Sequence, residues 1–299
     1  MPEVAASPTR EPSSTSRHRI VTLLRAAAGS LYSTLFPSEC RLCGIPLISA
    51  TRLPICEECI ESIAPIGIPR CSICGEGLPI GYRAFDSEAR CNDCGREFPL
   101  FARAVAYGAY EGGLRELIHL LKYQRVEPAA QVLGRMLADS VASLESEFDG
   151  SVLVIPVPLH GSKLRQRGFN QSELIARNAL FLLRRGASSP GYEMVNSLLV
   201  RKRPTESQVG MTREQRQANM KGAFAVLDKQ RVAGRSVLLV DDVFTTGTTA
   251  GECSRVLLKA GAQNVWVATV ARALKTKDTV EKYPQQREEE AHSLAAHAP

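Results

Sequence analysis

From residue 101 onward the apolar positions of the chain alternate between a helical and an extended period. Leu114, Leu117, Ile118 and Leu121 recur at helical spacing and predict a helix over Gly113 to Tyr123 with one buried face. A second helix is expected from Pro128 to Leu144, with proline in its first turn. Short apolar runs at 152–157, 197–200, 223–227, 237–240 and 265–270 predict strands. Asn170 caps a helix reaching to Leu183, and another from Thr248 to Lys259 is closed by Gly261. Strands alternating with helices imply an α/β fold, a mostly parallel sheet with helices on both faces.

Ahead of residue 101 the pattern changes. Residues 37–99 are dense in Pro, Gly and Cys and show no long helical period. Residues 1–36 read as a flexible Ser-, Pro- and Arg-rich leader, with one mildly amphipathic helix from Ile20 to Phe36 that Arg25 interrupts. From Leu274 the chain turns polar and charged, including Glu288 to Glu290, and a disordered tail is expected. The predicted organisation is therefore 1–36, 37–99, 100–273 and 274–299.

Composition adds little: 44% hydrophobic and 23% charged residues over 299 suit a globular protein. No apolar run approaches the roughly 18 residues that cross a bilayer, and the first residues lack the apolar core of a secretory signal. A cytoplasmic protein is expected. The net charge of +6 is unevenly placed, because His160 to Lys221 holds 12 Lys and Arg against 4 Glu. A polyanionic substrate or a nucleic acid fits such a patch. Arg177, Arg184 and Arg185 fit a solvated helix face instead.

Eight of the nine cysteines form four Cys-x-x-Cys pairs: Cys40/Cys43, Cys56/Cys59, Cys71/Cys74 and Cys91/Cys94. Gly44, Gly75 and Gly95 follow three of them, whereas Cys59 has no following glycine. Taken in order, the pairs predict two structural Cys₄ zinc sites, one per ribbon. An interleaved pairing, first with third and second with fourth, satisfies the same spacing. Disulfides fit poorly with a reducing compartment, and the spacing differs from the clustered ferredoxin pattern. The ninth, Cys253, falls with Ala250, Val256, Leu257 and Ala260 on an apolar helix face and reads as a core thiol.

The most informative stretch runs from Leu238 to Ala250, Leu-Leu-Val-Asp-Asp-Val-Phe-Thr-Thr-Gly-Thr-Thr-Ala. An apolar strand ends at two carboxylates, then a hydroxyl-rich turn opens a helix. Such loops at the carboxyl ends of α/β strands bind ligands, and the amides of the turn attract anions. Thr245, Thr246, Thr248 and Thr249, around Gly247, add hydroxyl donors for a phosphate. Asp241 and Asp242 repel that anion, so they suit sugar hydroxyls or Mg²⁺. A ribose 5-phosphate carries both kinds of group.

These residues resemble the phosphoribosyl pyrophosphate (PRPP) signature of type I phosphoribosyltransferases. The resemblance implies that fold, with Asp241 and Asp242 holding the ribose hydroxyls as the catalytic pair and Thr245 to Thr249 cradling the 5-phosphate. Strand 152–157 leads into Pro156-Val-Pro-Leu-His160 and a basic loop, similar to the pyrophosphate loop of the same enzymes. Pro158, Leu159, Lys163, Arg165 and Arg167 are the implied pyrophosphate contacts, with Mg²⁺ arriving on PRPP. The basic insertion at 201–219 is similar to a mobile hood, whose Arg201, Arg203, Gln208, Arg213 and Arg216 are candidates for phosphate contacts. His160 is given no catalytic role.

The order of parts is similar to the ComF family of competence proteins, a double zinc ribbon fused to a phosphoribosyltransferase domain. The parts are the cysteine module, the helix ending Leu121-Lys-Tyr123, Pro-Val-Pro-Leu-His with Arg167-Gly-Phe-Asn-Gln171, and the PRPP turn. The resemblance spans roughly residues 35 to 273. It implies a role in DNA uptake, with single-stranded DNA or a competence helicase as partner. Two functions follow: phosphoribosyl transfer to an unidentified acceptor, or a non-catalytic PRPP- or nucleotide-sensing scaffold that contacts DNA or a partner.

Overall fold

A computed structural model describes residues 39–47, 52–67, 69–78, 89–185, 190–205 and 212–274. The expected leader helix, the tail beyond residue 274 and Gln208 lie outside the described residues. Two compact units divide the chain, Met1–Glu61 and Ser62–Pro299. The first holds helix α1 (Glu57–Glu61) and the turns around Cys40 and Cys56.

The second unit opens with a cysteine hairpin and helix α2 (Asn92–Arg96), then strand β1 (Arg103–Ala109). Helices α3 (Gly112–Gln124) and α4 (Pro128–Ala142) follow, then β2 (Val152–Pro156), α5 (Gly161–Arg167), α6 (Gln171–Leu183) and β3 (Tyr192–Met194). Strands β4 (Leu199–Arg201) and β5 (Phe224–Val226) bracket α7 (Arg213–Met220). Strand β6 (Ser236–Phe244), helix α8 (Thr248–Lys259) and strand β7 (Asn264–Arg272) complete it.

Five strands form one sheet in the order β1-β7-β6-β2-β3, and all its pairings are parallel. Leu153, Ile155, Val237, Leu239, Val265 and Val267 share a core with Cys253 and Leu257 of α8. Cys71, Cys74, Cys94 and Phe101 belong to that same core. Helices α4 and α6 pack on one another and on the sheet, with α3 against α4.

Several elements differ from the sequence reading. The runs at 197–200 and 223–227 leave the main sheet and pair with each other antiparallel as β4 and β5. β1 and β3 were not anticipated: Arg103–Ala109 is built on small residues, and Tyr192–Met194 is three residues long. Strand β6 runs on to Phe244, because Asp241 pairs with Thr269 and Val243 with Ala271 across to β7. The two acids therefore sit in the strand, and successive side chains point to opposite faces. Residues 161–167, expected as a loop, are helix α5. His160 caps it, Nδ1 accepting from the Ser162 amide at 3.3 Å, and Gly168 ends it at φ 88°.

Candidate functional site

The chain leaves β2 through α6 to β3 on one side, and leaves β6 through α8 to β7 on the other. Adjacent β2 and β6 are thus the topological switch point, and the crevice beyond their carboxyl ends is where α/β sheets bind ligands. Pro158 and Leu159, both half-buried, follow the carboxyl end of β2. On its β6 edge stand Asp241 and the Thr245–Thr249 turn.

Gly247 fixes that turn. Its φ of 77° is left-handed, and a Cβ there would lie 2.7 Å from Phe244 Cζ. No side chain caps α8, so its first amides have no side-chain acceptor. Thr246 Oγ1 and Thr248 Oγ1 are 2.8 Å apart across the turn. Gly247→Ala is expected to cost about 2 kcal/mol through the strained φ and the Phe244 clash. Urea denaturation measures this, and a loss below about 0.5 kcal/mol would show that the turn relaxes freely.

The two acids have different surroundings. Asp242 is buried, and its Oδ2 lies 2.7 Å from Lys122 Nζ. Asp241 accepts a hydrogen bond from Ser172 Oγ at 3.0 Å and from the Asp242 amide at 2.9 Å. Burial, with the Asp242 charge beside it, pushes the Asp241 carboxyl up to about 7. Burial opposes the charge on Lys122, but Asp242, with Asp241 behind it, holds its pKa above the usual value.

Several cations lie near one another. Partial burial lowers the pKa of Lys163, and repulsion from Arg201, Arg167 and Lys122 adds to it. Lys163 and Arg167 lie one turn apart on α5, so they share a face, and Arg167 rests over the Tyr123 ring at 5.7 Å. Arg165, exposed like Lys163 and two residues from it, projects from another face of α5. Arg201 stacks over Phe224 at 5.4 Å and feels the Asp241 charge. Arg203 instead donates to the carbonyls of Asn219 and Lys221, 2.8 and 2.7 Å away, and closes the end of α7.

Lys122 and Ser172 were missed in the sequence as site residues. Lys122 had a signal, because it falls four residues after Ile118 on the apolar face of α3, where a lysine needs a buried partner. Ser172 carries none beyond its place in a capping sequence. Cys253 lies at 0% exposure, and burial pushes its thiol well up, as a core residue.

The cysteines gather as two tetrads, Cys40, Cys43, Cys56, Cys59 and Cys71, Cys74, Cys91, Cys94, with sulfurs inside each set within 4.8 Å. The pairs therefore combine in sequence order, not interleaved. A tetrahedral zinc with bonds of about 2.3 Å places its sulfurs about 3.8 Å apart. Cys43 and Cys56 sulfurs are 3.7 Å apart, and those of Cys74 and Cys91 are 3.6 Å apart. Both tetrads fit one four-coordinate zinc each.

Comparison with known proteins agrees with both halves. Residues 31–95 match the double zinc ribbon domain and residues 175–293 the phosphoribosyl transferase domain. Over 242 residues the chain is 31% identical to the DNA utilization protein YhgH of Salmonella typhi, covering 80% of this chain and 98% of that protein. It is 32% identical over 222 residues to competence protein F of Haemophilus influenzae, covering 73% and 90%. Competence protein ComFC of Bacillus subtilis is 23% identical over 216 residues, covering 69% and 79%.

Proposed function

Because the chain belongs to the ComF family of competence proteins, a double zinc ribbon joined to a phosphoribosyltransferase-type domain, we propose that its β2/β6 crevice binds PRPP with Mg²⁺ and transfers the phosphoribosyl group to an acceptor during DNA uptake. The observation that carries this reading is that Arg201, Arg167 and Lys122 all lie close enough to Lys163 to repel its charge, in a domain whose Gly247 turn opens an uncapped helix. Cations held together in this way favour a polyanion between them.

In this reading the 5-phosphate lies on Thr245, Thr246, Gly247, Thr248 and Thr249. The ribose hydroxyls donate to Asp241, while Asp242, turned to the other face and paired with Lys122, supports that site through its charge. Pyrophosphate lies against Pro158, Leu159, Lys163 and Arg167, with Arg165 contributing only long-range charge. The bond from C1 to the pyrophosphate oxygen breaks, the acceptor bonds to C1, and the acceptor's proton is released. Lys163 and Arg167 receive the departing anion, and Asp241 stabilises the positive charge growing on the sugar. The carboxylates suit a hard cation that also takes phosphate oxygens and water. Magnesium held there would supply charge neutralisation for the leaving group.

Calorimetric titration of PRPP, with and without Mg²⁺, tests the reading. Asp241→Asn/Asp242→Asn is expected to weaken binding by about two orders of magnitude, since hydrogen bonds to charged groups contribute about 1.5–3 kcal/mol each. Below about 7 Asp241 keeps its proton. A ligand that needs the carboxylate must displace that proton, so affinity rises with pH through this range and one proton is released. Asp241→Asn abolishes that share of the pH dependence; what survives belongs to the phosphate of the ligand. No heat at millimolar PRPP would defeat the proposal. Salt-sensitive DNA binding that survives the double substitution, without pyrophosphate release, would favour a scaffold in DNA uptake. The reaction proposed is cytoplasmic. Among the described residues no helix is long and apolar enough to cross a membrane.

A further inference from the structure

At the carboxyl end of β7, Arg272 is buried at 4% exposure. Its Nη2 donates to Glu76 Oε2 at 2.7 Å and to Cys74 Sγ at 3.4 Å, and its Nε reaches the same Glu76 oxygen at 3.2 Å. Glu76 belongs to the hairpin of the second tetrad, its carbonyl accepting from the Cys71 amide at 2.7 Å. The guanidinium also lies over the Phe244 ring, 4.6 Å from its centre. Phe101 meets that ring edge-on at 5.9 Å. Phe244 in turn fills the space where a Cβ of Gly247 would stand. One cavity of about 330 Å³ is lined by Cys74, Cys94 and Arg272 together with Thr245 to Thr248.

A continuous buried path thus runs from a metal-binding sulfur through one guanidinium and one ring to the glycine of the phosphate turn. We propose that Arg272 is a positioning residue through which metal in the second tetrad sets the geometry of that turn. Metal fixes the Cys74 sulfur and the Glu76 hairpin. These hold the plane of Arg272, which clamps Phe244 beneath Gly247. Without metal the anchor shifts, the ring is released and the amides of the turn lose their common aim. The consequence for ligand binding rests on the phosphate-turn reading above. Coupling of this kind is reciprocal: whatever factor metal adds to anion affinity, the anion adds to metal affinity.

Hydrogen exchange at the amides of 251–253, the first that bond within α8, reads the coupling in the ligand-free full chain. Chelating the zinc should speed that exchange about tenfold. Arg272→Met should show the same acceleration with zinc still bound, and Arg272→Lys should recover part of the protection. In a Cys43→Ser background, Co²⁺ absorption reports the second tetrad alone. Its Co²⁺ affinity should rise with ribose 5-phosphate by the factor that Co²⁺ adds to ribose 5-phosphate affinity, and Arg272→Met should bring both factors to one. Exchange unchanged by chelation, or wild-type coupling in Arg272→Met, overturns the proposal. If ribose 5-phosphate fails to bind while exchange responds as expected, the phosphate-site reading falls and the coupling stands. Should Arg272→Met not fold, Phe244→Leu keeps the Arg272–Glu76 pair and removes the ring. Fast exchange in that variant supports the path, and wild-type exchange refutes it.

Discussion

Lys122→Met is expected to destabilise the second unit by about 3 kcal/mol, the lower part of the range for breaking a buried ion pair. The lower part applies because the Lys122 side chain keeps 16% exposure, while Asp242 keeps 6%. Methionine preserves the apolar stem of the lysine and its packing on α3, so the loss isolates the charge. What remains is a carboxylate inside β6 without its counter-ion. The cost is the desolvation of that anion, not the missing attraction alone. Lys122→Met/Asp242→Asn should therefore recover most of the stability, giving a coupling energy of about 2 kcal/mol in a double-mutant cycle. In the wild type the folded pKa of Lys122 is raised. Its contribution is then fully present below the unfolded lysine pKa and is lost only as pH rises through the folded value. Near neutrality this group should therefore add no pH dependence to stability. A double variant no more stable than the single one would show that Lys122 acts through packing and not through Asp242.

Lys122 also marks the limit of what the sequence disclosed. The helix that carries it was legible because Leu114, Leu117, Ile118 and Leu121 repeat at its period, and all four are buried. Its partner lies 120 residues further on, and no local pattern joins Lys122 to Asp242. The helix Thr248–Lys259 matches its expected bounds because the turn glycine and the closing Gly261 are both local signals. Strand β6 exceeded expectation because register with β7 carries it past two carboxylates, and side-chain polarity does not interrupt backbone pairing. Helix α5 was missed because a seven-residue segment has too few turns for a periodicity to show. β1 was missed because Ala104, Ala106 and Gly108 give almost no hydrophobic contrast. The tetrads were the easiest part, since Cys-x-x-Cys spacing is itself a constraint of geometry. The packing of the second tetrad into the sheet core had no signature at all, since it depends on where β2, β6 and β7 stack.

Removing metal should separate the two tetrads by their surroundings. Among the described residues of the first unit, the buried side chains are Cys40, Leu47, Leu53 and Ile55. Three aliphatic residues contribute about 2 kcal/mol each when buried, while each ordered backbone residue costs about 1–2 kcal/mol. Among these described residues apolar burial does not offset that cost, and metal, whose binding contributes on the order of 10 kcal/mol or more in small Cys-rich modules, is expected to carry much of their order. Chelation is therefore expected to bring the amides of 52–61 to the exchange rates of an unfolded chain and to open Arg41 and Arg52 to trypsin. Cys56→Ser should do the same with zinc in excess. The second tetrad lies in a core with Leu153, Ile155, Val237, Leu239 and Val267, each at 0% exposure. Strands β2, β6 and β7 should keep their protection through the same treatment, even where the turn at Gly247 loosens. Persistent protection of 52–61 after stoichiometric loss of zinc would mean that contacts beyond those four side chains stabilise the unit. Loss of protection across β6 would mean that the second metal supports the sheet itself, and not only the turn at its end.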